Sequence, residues 1–255
     1  MRRRLPAWAQ RTALGVGAAL VGAAAFAAAV RWVPFPAEKL ARLNGSAVLA
    51  DRRGEPLRVK LAAGGFDCRP GYVPAPDDWI AQALVAAEDR RFWTHPGVDV
   101  WALGRAVAQN VAGGRRVSGA STISTQVIRL LEPRRRTLAT KVVEAFRALQ
   151  LERRLGKREI LAQYLDRAPF GGNLVGIEAA ARRYFGKGAA DLSLAEAALL
   201  AGVPQAPSRL RPDRHPEAAK KRQAYVLERM EACGFIAPRE RAEALAQPLV
   251  ARSGP

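Results

Sequence analysis

Residues 86–97 read Ala-Ala-Glu-Asp-Arg-Arg-Phe-Trp-Thr-His-Pro-Gly and close an apolar run that begins at the helix-start pattern of residues 76–78. Residues 95–97 are predicted to stop this helix. Glu88 falls on its apolar face, whereas Asp89 is turned by ~100° towards another environment. Partial burial raises the pKa of a carboxyl group, which is what a general base working near neutral pH needs, so Glu88 is a candidate for that role. The alternative is a solvated, charged helix end.

The composition is strongly basic, with 41 Lys and Arg against 23 Asp and Glu and a formal charge of +18 over 255 residues. A positive field of this size favours an anionic partner, such as nucleic acid, anionic lipid headgroups or a phosphorylated substrate. The length is sufficient for one or two domains with a sizeable core.

The N-terminus narrows the choice of partner. Four arginines precede residues 12–30, which carry no charge and would span ~28 Å as a helix. The arginines predict that the N-terminus lies inside and the remainder outside. We favour a retained transmembrane anchor, and a cleaved signal peptide ending near residues 27–29 is the alternative. An exported body argues against nucleic acid as the partner.

The rest of the chain is predicted to be mainly α, with one small β-hairpin around residues 51–54. The longest helix is predicted at about residues 135–155, and its packing stripe is Leu138, Val142, Ala145, Phe146 and Leu149. The predicted segments are a basic cytoplasmic tail (1–11), the anchor (12–30), a connector with the hairpin (31–75), a catalytic domain (76–235), and a C-terminal helix and tail (236–255).

Two further clusters contain residue types that take part in catalysis or anion binding. Lys141 and Glu144 share one helix face, either as a surface ion pair or as residues of a cleft. Residues 119–126 place small and hydroxyl side chains at a helix start, where backbone N–H groups can bind an anion. Arg129 and residues 134–136 follow, and they either meet phosphates or form a solvated face.

The cysteines and histidines are too few to predict a metal site of their own. Cys68 and Cys233 are able to form one disulfide in an oxidising compartment, although their presence does not establish it. The histidines are His95 and His215, and no Cys-x-x-Cys spacing occurs.

Taken together, these clusters resemble glycosyltransferase family 51, the peptidoglycan glycosyltransferases, over about residues 45–235. The similar motifs, in family order, are Glu88-Asp89-x-x-Phe92-x-x-His95-x-Gly97, Gly119-x-Ser121-Thr122-x-x-x-Gln126, Lys141-x-x-Glu144 with Lys157-x-Glu159, Tyr184-Phe185-Gly186-Lys187 with 194–207, and Arg222-x-x-x-Val226-Leu227. The resemblance implies a lysozyme-like, mainly α fold at the outer face of a bacterial cytoplasmic membrane.

The resemblance also implies a reaction and a set of site residues. Glu88 would take the proton of the attacking sugar hydroxyl of lipid II, and the anomeric centre would invert. Glu144 would act near the leaving pyrophosphate, directly or through a divalent cation (Mg²⁺ or Mn²⁺). The residues implied to hold the phosphates are Ser121, Thr122, Gln126, Arg129 and Lys141. Those implied to shape the substrate site are Asp89, Phe92 and His95.

The implied partners are lipid II, the growing lipid-linked glycan, the membrane, and transpeptidase or other cell-wall synthesis proteins. The chain has no Ser-x-x-Lys motif, so no transpeptidase is expected in it. A glycan hydrolase of the same fold is an alternative, but it would have no pyrophosphate for Arg129 and Lys141 to hold. A non-catalytic, membrane-anchored envelope scaffold is the other alternative.

Overall fold

The computed structural model describes residues 7–41, 43–53, 56–105, 121–249 and 251–252. The chain divides into two units, Met1–Pro36 and Ala37–Pro255. The first unit contains one long helix, and the second contains all the strands and the other helices of the described residues.

Helix α1 (Ala7–Trp32) is the long helix of the first unit. It contains residues 12–30, so the predicted helix is confirmed there. Among the described residues, however, no helix is both long enough and apolar enough to cross a membrane. The predicted transmembrane span is therefore not confirmed.

The second unit is mainly helical, as predicted. Its helices, numbered in chain order, are α2 (Trp79–Glu88), α3 (Ile123–Leu131), α4 (Leu138–Glu152), α5 (Lys157–Arg167), α6 (Ile177–Phe185), α7 (Leu194–Gly202), α8 (Pro216–Ala232) and α9 (Pro238–Ala246). Residues 100–105 are also helical, and the predicted continuation to residue 111 lies outside the described residues. Asp99 caps this start through the N–H of Ala102, as predicted.

The predicted β-hairpin is confirmed as β1 (Ala47–Ala50) and β2 (Pro56–Lys60), which pair antiparallel with Val48 opposite Val59. A second sheet was missed. It consists of β3 (Asp67–Cys68), β4 (Pro169–Gly171) and β5 (Leu174–Val175), in the order β3-β5-β4. Strands of two or three residues are too short to show the alternation that sequence patterns reveal. Cys68 and Cys233 are both free thiols.

The end of α2 differs from the prediction. The helix stops at Glu88, and Asp89 leaves it with a non-helical backbone (φ −156°, ψ 76°). The buried core around it comes from α7 and α8, which pack against α2, while α3 packs against α4 and α5. Ending the helix at Glu88 lets the two adjacent carboxylates point to different neighbours.

The predicted packing stripe of α4 was wrong at its N-terminal end. Leu138 and Val142 are 77% and 64% exposed, whereas Glu144, Ala148 and Leu151 face the interior. The buried face is thus centred on the i, i+4, i+7 series that starts at Glu144. This rotation turns an acidic side chain towards α3.

Candidate active site

Glu88 lies at the C-terminal end of α2, where two cationic or polar side chains hold its carboxylate. One oxygen accepts a hydrogen bond from Gln126 Nε2 at 3.1 Å, and the other accepts from Arg222 Nη2 at 3.3 Å. The Glu88 side chain is 19% exposed. It is therefore accessible to a ligand while being oriented from both sides.

Arg222 is a site residue that the sequence reasoning did not assign. It projects from α8 past Gly202, where an added Cβ would lie 2.6 Å from the Arg222 Cγ. Its guanidinium carbon lies 4.6 Å from the centre of the Tyr225 ring, and its buried Nε makes no hydrogen bond within the described residues. Only the fifth motif of the resemblance pointed to this residue.

Glu144 pairs with Arg129 in a two-point ion pair. Arg129 Nε donates to Oε1 at 3.0 Å and Nη2 donates to Oε2 at 2.8 Å. The hydrogen bonds to Glu144 raise the pKa of Arg129 above its ordinary value. The Glu144 side chain is 10% exposed and that of Arg129 is 32% exposed, so the cation faces the solvent and the carboxylate lies beneath it.

Helix α3 connects the two acidic residues. Gln126 and Arg129 are three positions apart and therefore share one face of the helix. Gln126 contacts Glu88 and Arg129 contacts Glu144. Two carboxylates that are 56 positions apart along the chain are thus joined through one turn of α3.

The residues around Glu144 do not fit a divalent cation in this arrangement. Both carboxylate oxygens are already engaged by the guanidinium of Arg129, whose positive charge opposes a second cation. Within the described ranges, no group of three or more His, Cys, Asp or Glu side chains is placed to hold a metal ion.

Asp89 and His95 form a buried pair behind Glu88. His95 Nε2 lies 3.0 Å from both carboxylate oxygens, and His95 Nδ1 accepts the N–H of Gly97 at 3.1 Å. This geometry fits the tautomer that carries its proton on Nε2. Asp89 also accepts the backbone N–H of Ile123, the first residue of α3, at 3.0 Å. The pair therefore fixes α3 relative to the end of α2.

The predicted anion site at the start of α3 is occupied by the protein itself. The Asp89 carboxylate takes the Ile123 N–H, and Thr122 and Thr125 satisfy each other in a capping box. The Thr122 hydroxyl donates to the Gly97 carbonyl at 2.6 Å and is buried. The expectation of free backbone donors at this helix start was therefore wrong for these groups.

The first motif is packed by Phe92 and Gly97. Phe92 is fully buried, with Lys157 Nζ 4.6 Å from its ring centre. Lys157 also donates to the His95 carbonyl at 2.6 Å and to Glu152 at 2.7 Å. Gly97 has φ +106°, and a Cβ there would lie 2.8 Å from the Ala148 carbonyl oxygen. Only glycine fits this backbone and this contact with α4.

The remaining predicted residues lie at the surface. Ser121 and Lys141 are exposed, while Gly119 and Ala120 fall outside the described residues. The structure therefore brings Glu88, Gln126, Arg129 and Glu144 together. It places the side chains of Asp89, Phe92, His95 and Thr122 in the interior behind them.

Tyr164 and a cavity complete the site, and neither was assigned from the sequence. The Tyr164 hydroxyl lies 3.5 Å from Gln126 Oε1. Burial and then the Glu88 charge raise the pKa of Tyr164. Arg222 also lines a cavity of about 340 Å³, whose other lining residues are Gln205, Ala206, Arg209, Leu210 and Ala218. Space for a ligand thus adjoins the group that holds Glu88.

Comparison with known proteins finds a transglycosylase family model and several penicillin-binding proteins that are similar to this chain. Residues 74–231 match the family model described as Transglycosylase. The chain is 45% identical to penicillin-binding protein 1C of Escherichia coli over 226 residues, covering 89% of this chain and 29% of that protein. It is 44% identical to penicillin-binding protein 1A of Aquifex aeolicus over 174 residues, covering 68% of this chain and 24% of that protein.

A crystal structure of penicillin-binding protein 1A from Haemophilus influenzae matches with a TM-score of 0.37 and 29% identity, covering 53% of this chain and 17% of that chain. The chain thus spans less than a third of the curated relatives described above. Residues 129–133, 167–172 and 205–213 resemble penicillin-binding protein 1C in particular, which agrees with the 45% identity to that protein.

Proposed function

Because the chain belongs to the transglycosylase family, the peptidoglycan glycosyltransferases, we propose that it polymerises lipid II into β-1,4 glycan strands. The 4-hydroxyl of the incoming lipid II attacks the anomeric carbon of the growing, lipid-linked glycan. The bond from that carbon to the pyrophosphate oxygen breaks, the configuration inverts, and undecaprenyl pyrophosphate leaves.

Glu88 is the proposed general base. It removes the hydroxyl proton as the new glycosidic bond forms, so its carboxylate must be ionised, oriented and reachable. The hydrogen bonds from Gln126 and Arg222, together with the partial exposure of Glu88, support this role. The observation that carries the proposal is the connection of Glu88 to the Arg129–Glu144 pair through α3.

The leaving-group side of the site is proposed to be cationic. The solvent-facing guanidinium of Arg129 and the exposed side chains of Ser121 and Lys141 are available to bind phosphate oxygens. Thr122 contributes by ordering the start of α3, because its hydroxyl is committed to Gly97. Asp89, Phe92 and His95 act in the same indirect way, as buried groups that position the end of α2.

The direct test is polymer synthesis from labelled lipid II, with moenomycin as a competitor. Formation of glycan and release of undecaprenyl pyrophosphate support the proposal. Finished peptidoglycan supplied as the only substrate should remain uncut. Its cleavage would instead indicate a glycan hydrolase. Lack of polymer together with cleavage of peptidoglycan would contradict the proposal.

Arg222→Met is expected to lower the polymerisation rate by about 100-fold, because Glu88 loses the cation that orients its carboxylate. The fold should remain, since methionine keeps the unbranched apolar stem of the side chain. Lys221→Met is a matched control, because it removes one charge from the neighbouring, exposed position of α8. Equal rates for the two variants, measured with labelled lipid II, would exclude a positioning role for Arg222.

We also propose that residues 12–30 anchor the protein in the cytoplasmic membrane, with the second unit on the outer face. The lack of charge in this run and the arginines before it support the proposal. No Ser-x-x-Lys motif occurs in these 255 residues, so glycosyl transfer is the one activity that we propose for them. Alkaline phosphatase fused after residue 255 should be active in cells, and an inactive fusion would contradict the orientation.

A further inference from the structure

The cation beside Glu144 is part of the chain. We propose that the Arg129 guanidinium serves as the resident cation of the Glu144 carboxylate, so that glycosyl transfer at this site needs no divalent metal ion. The inference rests on the function proposed above. It differs from the sequence-based expectation, which allows Mg²⁺ or Mn²⁺ near Glu144.

The geometry of the pair carries the inference. Arg129 meets Glu144 with two N–H groups, at 3.0 Å and 2.8 Å, so each carboxylate oxygen has a cationic partner. A planar, two-point contact of this kind is the strongest that arginine makes with a carboxylate. A metal ion that used a remaining lone pair of either oxygen would lie beside the guanidinium and meet its positive charge.

The two side chains differ in exposure, so a ligand that approaches from solvent contacts Arg129 before Glu144. Arg129 is 32% exposed and Glu144 is 10% exposed, so the guanidinium covers the carboxylate. A guanidinium has five N–H groups, and the two that bind Glu144 leave three for phosphate oxygens. Arg129 can thus bind an anion on its outer side while Glu144 fixes its plane from beneath.

Neighbouring carboxylates follow the same pattern. Glu88 is held by Arg222, and Glu132, just after α3, is held by Lys39 and Arg134. The carboxylates of Glu88, Glu132 and Glu144 are therefore each compensated by at least one cationic side chain. A divalent cation entering this region would meet positive charge at each of these carboxylates.

Binding of Mn²⁺ alone, followed by electron paramagnetic resonance on the full chain, tests the inference without reference to activity. Wild type and Glu144→Gln are expected to bind equally little Mn²⁺, whereas Arg129→Met should gain one site. The double variant R129M/E144Q should lose that site again. Arg134→Met is the matched control, because it removes an arginine from Glu132 but leaves Lys39 in place.

A Mn²⁺ site in wild type that Glu144→Gln abolishes would overturn the inference. So would failure of folded Arg129→Met to gain a site. Circular dichroism establishes which variants are folded. If Arg129→Met does not fold, the comparison of wild type with Glu144→Gln is sufficient. A Mn²⁺ ion held by Glu144 would be bound by wild type and lost in Glu144→Gln, whereas equal binding by both means that Glu144 holds no metal ion.

The rate of lipid II polymerisation with and without metal ions provides a second test of the inference. Wild type in EDTA is expected to polymerise lipid II within about twofold of its rate in Mg²⁺, whereas removal of a required metal slows such reactions by about 100-fold or more. Polymer that forms only with added metal overturns the inference and leaves the proposed function intact. Absence of polymer in every condition contradicts the proposed function, and Mn²⁺ binding then decides the inference.

Discussion

Glu88→Gln is expected to reduce polymerisation of lipid II by about 1,000-fold while the protein stays folded. General acid–base catalysis contributes ~100- to 10,000-fold to such reactions, and glutamine cannot accept the proton. The amide retains the shape of the side chain, and its oxygen can still accept a hydrogen bond from Arg222. The expected loss is therefore one of chemistry and not of structure.

Rates with labelled lipid II and thermal unfolding of the same preparations provide the measurement. Glu178→Gln is a matched control, since Glu178 is 21% exposed and also pairs with an arginine, Arg182, but lies outside the site. The control should retain its rate, and both variants should unfold near the wild-type temperature. Near-normal glycan synthesis by Glu88→Gln would refute the assignment of the base.

Gly97→Ala is expected to destabilise the fold by about 3 kcal/mol. The added methyl group would require an unfavourable backbone at φ +106° and would lie 2.8 Å from the Ala148 carbonyl oxygen. Overpacking of this kind costs ~1–3 kcal/mol, and alanine at positive φ adds about 1 kcal/mol. For a domain of this size, that corresponds to a fall in Tm of roughly 10 °C.

Gly65→Ala separates the two causes. Gly65 has a similar backbone at φ +77°, but no atom lies within 4 Å of an added Cβ. Gly65→Ala should lower the free energy of unfolding by about 1 kcal/mol, which is the cost of the backbone conformation alone. Chemical denaturation of both variants gives the difference, and equal losses would mean that the contact between Gly97 and α4 adds nothing to stability.

The position of Gly97 also links stability to the site. Its N–H holds His95, and its carbonyl accepts the Thr122 hydroxyl. Displacing this loop would therefore disturb the Asp89–His95 pair that caps α3. The polymerisation rate of Gly97→Ala is expected to be reduced even at temperatures at which the variant is still folded, because Gln126 and Arg129 lie on α3.

Much of the fold was predictable because helices and hairpins depend on residues that are close along the chain. The Ser193–Glu196 capping box starts α7 as expected. Strands β1 and β2 pair antiparallel, as the sequence pattern on the two sides of residues 51–54 predicts. Each of these features is formed by neighbours within a few positions, so a single sequence contains the necessary information.

Contacts between distant segments determine the rest. Arg222 reaches Glu88 across 134 positions, and Asp89 reaches Ile123 across 34 positions. The sequence predicts free N–H groups at the start of α3, yet those of Thr122, Ile123 and Thr125 are taken by Asp89 and by the paired threonines. The sequence marked Glu88 and Glu144 as the candidate catalytic carboxylates. Packing of α2, α3, α4 and α8 determines which charged side chains stay accessible and which pair with one another. Such contacts join segments that are distant along the chain, so they depend on the three-dimensional fit of the whole core.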